Sequence, residues 1–301
     1  VGYVGSIIAV VAGGLLLDSS GYPAVFRAIA ILFLVFALPA FFLIEERPRR
    51  MPAGPRPGPG RSLRQLATTW RRASTYQGVV PFLIGRFLYT DAINTLIGGF
   101  LAIFVVEELD FSDDQVQALL AIAIVAAVAG GLGGGRLVDR FGPRRVLNGA
   151  LYIWMITMVG GIVAAATAQA PVAWAIGPIG GLALGATWAS DRVYMARISP
   201  PRYLGEFYGL YATVGRFATV LGPVIWGVIV NRLDLPRTVA MAALLGFVVA
   251  GRLVLNRVDD RPRHAHLRTR ARARRRSASA LGPRPPGPLP RVEAVSPLPD
   301  V

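Results

Sequence analysis

What most limits the fold of this chain is a series of apolar runs almost free of charge. Each is about as long as the roughly 20 residues an α-helix needs to cross a bilayer. Eight are legible, at residues 2–17, 25–44, 80–106, 116–132, 146–168, 172–189, 207–230 and 238–255. With 53% of its 301 residues hydrophobic, the chain reads as an all-α integral membrane protein rather than a soluble enzyme.

The loops set an orientation. Residues 47–72 carry eight arginines, 133–145 four, 192–202 three, and the tail after Asn256 eleven, whereas the intervening loops at 18–23, 107–115, 168–171 and 231–237 carry two in all. By the positive-inside rule the arginine-rich set is cytoplasmic, so both ends of the chain face the cytoplasm of a multi-pass plasma-membrane protein. The acidic cluster Glu107, Glu108, Asp110, Asp113 and Asp114 then faces outward, with a helix start at residues 112–115.

Between the second and third spans, the Pro/Gly stretch 48–60 predicts a flexible linker. After it, Leu63, Leu66, Ala67 and Trp70 recur at helical spacing opposite Arg61, Arg64, Arg71 and Arg72. This pattern predicts a short amphipathic helix, either on the inner leaflet or packed on the protein's own inner face. The tail from Arg257 has few large apolar residues and is expected to be disordered. Anionic lipid is the expected partner of the basic loop and tail, and nucleic acid is not, because no aromatics interleave with the arginines.

The turn between the fourth and fifth spans reads Gly135-x-Leu137-x-Asp139-Arg140-x-Gly142-x-Arg144-Arg145. Gly135 would let two helices approach, Asp139 would place a carboxylate near a helix N-terminus, and the arginines would supply partners for a conformational latch. A tight basic turn that only sets topology remains the alternative. Asp191, Arg192, Arg197 and Glu206 flank a second short loop, with a latch or ordinary surface pairs as the two readings. Gly177, Gly181 and Gly185, and the pairs Gly130/Gly134 and Gly131/Gly135, predict close helix packing, and Pro178 and Pro223 predict bends.

Charges inside spans are costly and so are candidate functional residues. Arg27 and Arg252 lie near helix ends and Arg86 near the inner surface, where snorkelling is expected. Asp91 and Arg216 are deep, and Asn94 and Thr95 extend a polar face from Asp91. They are expected to line a substrate or ion pathway, as a pair or separately, with a purely structural ion pair as the alternative.

The turn signature resembles that of the major facilitator superfamily of secondary transporters. Within it, residues 2–6 (GYVGS), 82–95 (FLIGRFLYTDAINT), 192–200 (RVYMARISP), 205–209 (GEFYG) and 221–223 (LGP) resemble the UMF1 family, which includes fungal vacuolar effluxers of the Atg22 type. Asp191 and Arg216 depart from that family's pattern. The resemblance implies a partial major facilitator fold whose eight spans correspond to helices 5–12: two helices of an N-terminal half (1–44), a central loop (45–79), a six-helix C-terminal half (80–255) and a basic tail (256–301). Four helices would be missing upstream, in keeping with a chain that opens on Val1 already inside an apolar run. It further implies a monomer that moves a small solute, an amino acid or similar metabolite, outward by alternating access, with a proton gradient as the candidate driving force and no cofactor. A non-transporting fragment and a membrane-anchored binding protein using its arginine-rich tail are the rivals. Enzymatic chemistry is not expected: the chain has no cysteine, both histidines (His264 and His266) lie in the tail, and no Gly-x-Ser-x-Gly elbow is present.

Overall fold

The computed structural model describes residues 13, 16, 21–38, 59–76 and 78–258. The chain divides into two units, Val1–Asp260 and Arg261–Val301, and every described residue belongs to the first. The span expected at 2–17, apart from Gly13 and Leu16, lies outside the described residues, as do most of the linker and the tail beyond Val258.

Every regular element among the described residues is helical, and seven helices are long and apolar enough to cross a membrane. In order they are α1 (Gly21–Leu38), the span Val79–Leu109, α5 (Asp113–Phe141), α6 (Pro143–Thr167), α7 (Ala170–Ile198), the span Pro201–Arg232 and α10 (Arg237–Leu255). α1 leaves apolar residues such as Phe33 and Phe36 exposed. The short helix before the third span is α2 (Pro59–Ser74). It begins within the stretch read as linker, because proline at a first helical position lacks only an N–H that would have no partner there.

Two spans are interrupted. The first consists of α3 (Val79–Thr95), a π-helical turn at Leu96–Phe100 and α4 (Leu101–Leu109). The turn holds Gly99 at φ 118°, a left-handed value that glycine adopts without the Cβ clash of other residues. The second consists of a 3₁₀ turn at Pro201–Tyr203, α8 (Leu204–Phe217), α9 (Leu221–Gly227) and a π-helical turn at Val228–Arg232. Its break at residues 218–220 follows from Pro223, which has no N–H to donate four residues back and whose ring crowds the carbonyl there. By contrast, α7 continues through Pro178.

α5 and α7 form the closest-packed pair. A side chain at Gly130 would strike Leu182 backbone, at Gly181 that of Ala123 and at Gly185 that of Ala127 and Gly131. Gly135 is different: among the described residues nothing lies within reach of a side chain there, so it does not serve the helix approach expected of it. It is one residue on from Gly134, about 100° around the helix and off the contacting face.

The thirteen-residue turn expected at 133–145 contracts to one residue. α5 runs on to Phe141, Gly142 takes φ 85° and ψ 155°, and Pro143 opens α6. Asp139 therefore sits in the last turn of α5 rather than at a helix start, exposed like Arg140 and Arg145. At the opposite face, Ser112 and Gln115 form a reciprocal capping box at the expected start of α5. Arg237 there pairs with Glu107 (3.2 Å) and Glu108 (3.6 Å).

Candidate functional site

Polar chemistry inside the spans gathers along the seam between α3 and the broken α8–α9 span. It forms two layers.

The lower layer holds a buried ion pair. Arg86 Nε of α3 donates to Asp191 Oδ2 of α7 at 3.1 Å, and Arg86 Nη1 donates to the Tyr211 carbonyl of α8 at 3.2 Å. The Tyr211 hydroxyl donates to both Asp191 oxygens, at 3.0 and 2.9 Å, while its ring lies 3.7 Å beneath the guanidinium carbon. Gly215, one turn further along α8, leaves room for the guanidinium, which any side chain there would displace. All three residues are buried, and together they tie α3, α7 and α8. Such a pair is held by satisfied geometry rather than by charge alone, since desolvation offsets much of the attraction.

Two expectations change here. Arg86 does not snorkel, and Asp191 is not a surface latch residue; each is the other's buried partner. The expected span stopped at residue 189, which set Asp191 at the inner end of its helix, whereas α7 continues to Ile198. Tyr211 had no place in the sequence reading. Counted from the ends of their helices, Arg86, Asp191 and Tyr211 are each seven residues in, about 10 Å deep from one side. That common depth emerges only with the true helix ends, since the expected span stopped short of Asp191.

The upper layer faces the helix break. Asp91 is fully buried on α3, and neither carboxylate oxygen has a hydrogen bond of ordinary distance and angle. The donors that reach toward it are the amide N–H groups of Gly222, Leu221 and Val220, where the chain re-enters a helix. Gly222 permits this approach: a side chain there would press on Asp91 Oδ2 and Thr95 Oγ1. Asn94 Nδ2 donates to the Ala218 carbonyl at 3.0 Å, on the other lip of the break, and Thr95 Oγ1 donates to the Asp91 carbonyl at 2.7 Å within its own helix. A carboxylate thus meets free amides and a carboxamide meets a free carbonyl, the groups a helix break leaves without partners.

Arg216 does not join Asp91. It reaches comparable depth on α8 but is exposed, and among the described residues no ion pair links the two. The remaining latch residues also separate. Glu206 accepts from Arg72 Nη1 of α2 at 2.6 and 2.9 Å. Arg192 is exposed, and its carbonyl accepts from the Tyr208 hydroxyl at 2.7 Å. Arg144 Nη2 donates at 3.0 Å to the carbonyl of Asn256, the residue that ends α10. Arg252 pairs with the Tyr152 hydroxyl and lies over its ring, so it too has a partner within the bundle.

Comparison with known proteins agrees with this architecture. The chain is 25% identical over 188 residues to the uncharacterized MFS-type transporter YxiO of Bacillus subtilis, covering 62% of this chain and 43% of that protein. It is 25% identical over 291 residues to autophagy-related protein 22-1 of Penicillium rubens, covering 88% and 49%, and 22% identical over 225 residues to an uncharacterized protein of Aquifex aeolicus, covering 75% and 53%. The chain thus spans about half the length of the relatives it matches. The family described as "Vacuole effluxer Atg22 like" matches residues 1–264, so this all-α membrane chain of the major facilitator kind belongs to that family.

Proposed function

We propose that the chain forms the pathway-bearing part of a secondary transporter that moves a small solute across the plasma membrane by alternating access, with an amino acid or similar metabolite, moved outward, as the first candidate. The observation that carries this reading is Asp91: a fully buried carboxylate without a complete hydrogen bond, set against a broken transmembrane helix. Intramembrane charges of this kind are expensive, and discontinuous helices are a recurring way to build solute and ion sites near the bilayer centre. Asn94 and Thr95 shape the same site. Arg86 supports it from below, and Arg216 contributes from its exposed face. In this reading the arginine-rich ends of the spans are cytoplasmic.

The test is efflux of a labelled amino-acid panel from vesicles carrying the chain in its full reading frame. Asp91→Asn should lower transport about tenfold or more, in line with the roughly 1.5–3 kcal/mol of a hydrogen bond to a charged group. Unchanged kinetics and pH dependence in both Asp91→Asn and Arg216→Ala would overturn the site. Orientation is open to a direct check, because the chain has no native cysteine. Single cysteines at Arg140 and Glu107 should react with an impermeant thiol reagent from opposite sides.

A further inference from the structure

The part of the chain that this reading leaves unused is α2, and its surroundings are specific. A turn carries it directly into α3: the Thr75 N–H donates to the Arg72 carbonyl, that of Tyr76 to Ala73 and that of Val79 to Tyr76, while Gly78 takes φ 92°. α2 is therefore held where a transmembrane span begins, at the level of the membrane surface. One face packs inward: Ala73 and Thr69 are buried, and just beyond the helix Tyr76 stands edge-on to Phe207 at 5.6 Å. Arg72 holds Glu206 in the first turn of α8 and lies 4.7 Å over the ring of Tyr203.

Along the flank of that same stripe the cover is only partial. Leu66 and Trp70, one turn apart, are each 40% exposed, and Arg71 beside them is exposed. The helix carries Arg61, Arg64, Arg71 and Arg72 with no acidic residue. A partly exposed apolar flank beside the exposed Arg71, fixed at the height of lipid headgroups, is complementary to an anionic leaflet.

We propose that the Leu66, Trp70 and Arg71 face of α2 binds anionic phospholipid headgroups, and that the Arg72–Glu206 bond transmits this occupancy to α8. The inference depends on the membrane-spanning architecture but not on the solute, and its test is independent of which side is cytoplasmic. The chain in phosphatidylcholine nanodiscs, whose two leaflets are alike, is titrated with dioctanoyl phosphatidylglycerol or dioctanoyl phosphatidylcholine. Trp70 emission is isolated by subtracting the Trp70→Phe variant. The anionic lipid should shift that emission to shorter wavelength, and Arg71→Ala should weaken its apparent affinity about fivefold, the effect of one basic residue near an anionic surface. Equal responses to the two lipids would show an apolar contact without charge recognition and would overturn the lipid assignment. In parallel, amide hydrogen exchange across residues 204–217 should slow with phosphatidylglycerol in the native chain and not in Glu206→Ala. The same slowing in both proteins would overturn the coupling.

Discussion

α5 meets α7 through backbone, whereas α3 meets α8 and α9 through side chains. The first contact has glycines on both helices, no ion pair among the described residues, and no slack: Gly181 and Gly185 lie where even a methyl group would collide with a carbonyl-bearing backbone. The second has an arginine, a tyrosine, an asparagine, an aspartate reaching in from α7 and a break in the helix on one side. A backbone-to-backbone fit has one good arrangement, since sliding it by a fraction of a turn drives atoms together. Side-chain bonds can be broken and remade, each at modest net cost, provided new partners are found. In the proposed transporter this difference would suit the α5–α7 pair to a rigid frame and the α3–α8–α9 seam to rearrangement.

The sharpest way to break this contrast is to remove one member of the buried pair. Asp191→Ala leaves the Arg86 guanidinium without its countercharge and should cost about 3–5 kcal/mol, seen as a lowered unfolding temperature in detergent. The double variant Arg86→Met/Asp191→Leu should regain most of that stability, since an apolar pair of similar size is often neutral. It should still fail in transport, and full transport would reduce the pair to scaffolding. Next in size is the frame itself. Gly185→Val should destabilise by about 1–3 kcal/mol through forced separation of α5 and α7. If transport fell with no loss of stability, the frame would be part of the moving machinery after all. A smaller effect is expected at the break: Pro223→Ala should change stability by less than about 1 kcal/mol while favouring a continuous helix. Its signature is slower hydrogen exchange across 218–222, accompanied by slower transport. The smallest is Arg72→Ala, an exposed pair worth about 0.2–1 kcal/mol. It should barely move the melting temperature yet raise exchange in the first turns of α8.

Much of the frame was legible because its causes are local. Span positions follow from runs of apolar residues, the start of α5 from Ser112 and the aspartates after it, and the α5–α7 fit from glycines four apart. Charge partners were not legible, for a geometric reason. A span boundary drawn where hydrophobicity fades misses the polar last turns of a helix, and that error moved Asp191 from the interior to the helix's surface end. Depth without rotation is also incomplete: Asp91 and Arg216 lie at similar heights, but only the direction in which each side chain leaves its helix decides a contact. Tyr211 escaped notice because tyrosine in a transmembrane helix carries no charge to mark it. The break at 218–220 was signalled by Pro223, although a proline announces only a disturbance; Pro178 sits inside an uninterrupted α7.

The two interruptions around α8 give it the mechanics of a lever. Fourteen residues make a rod about 21 Å long. It is bounded by the 3₁₀ turn at Pro201–Tyr203 and by the break at 218–220. A tilt of about 10° at the break would carry its far end through about 4 Å, roughly three residues of helical rise. That is more than enough to part Glu206 from Arg72, while the Ala218 carbonyl that Asn94 of α3 holds, close to the fulcrum, would move by a small fraction of that distance. Under such a tilt, a small motion at the polar site would be enlarged at the membrane surface, and a force applied at the surface would return to the site with mechanical advantage.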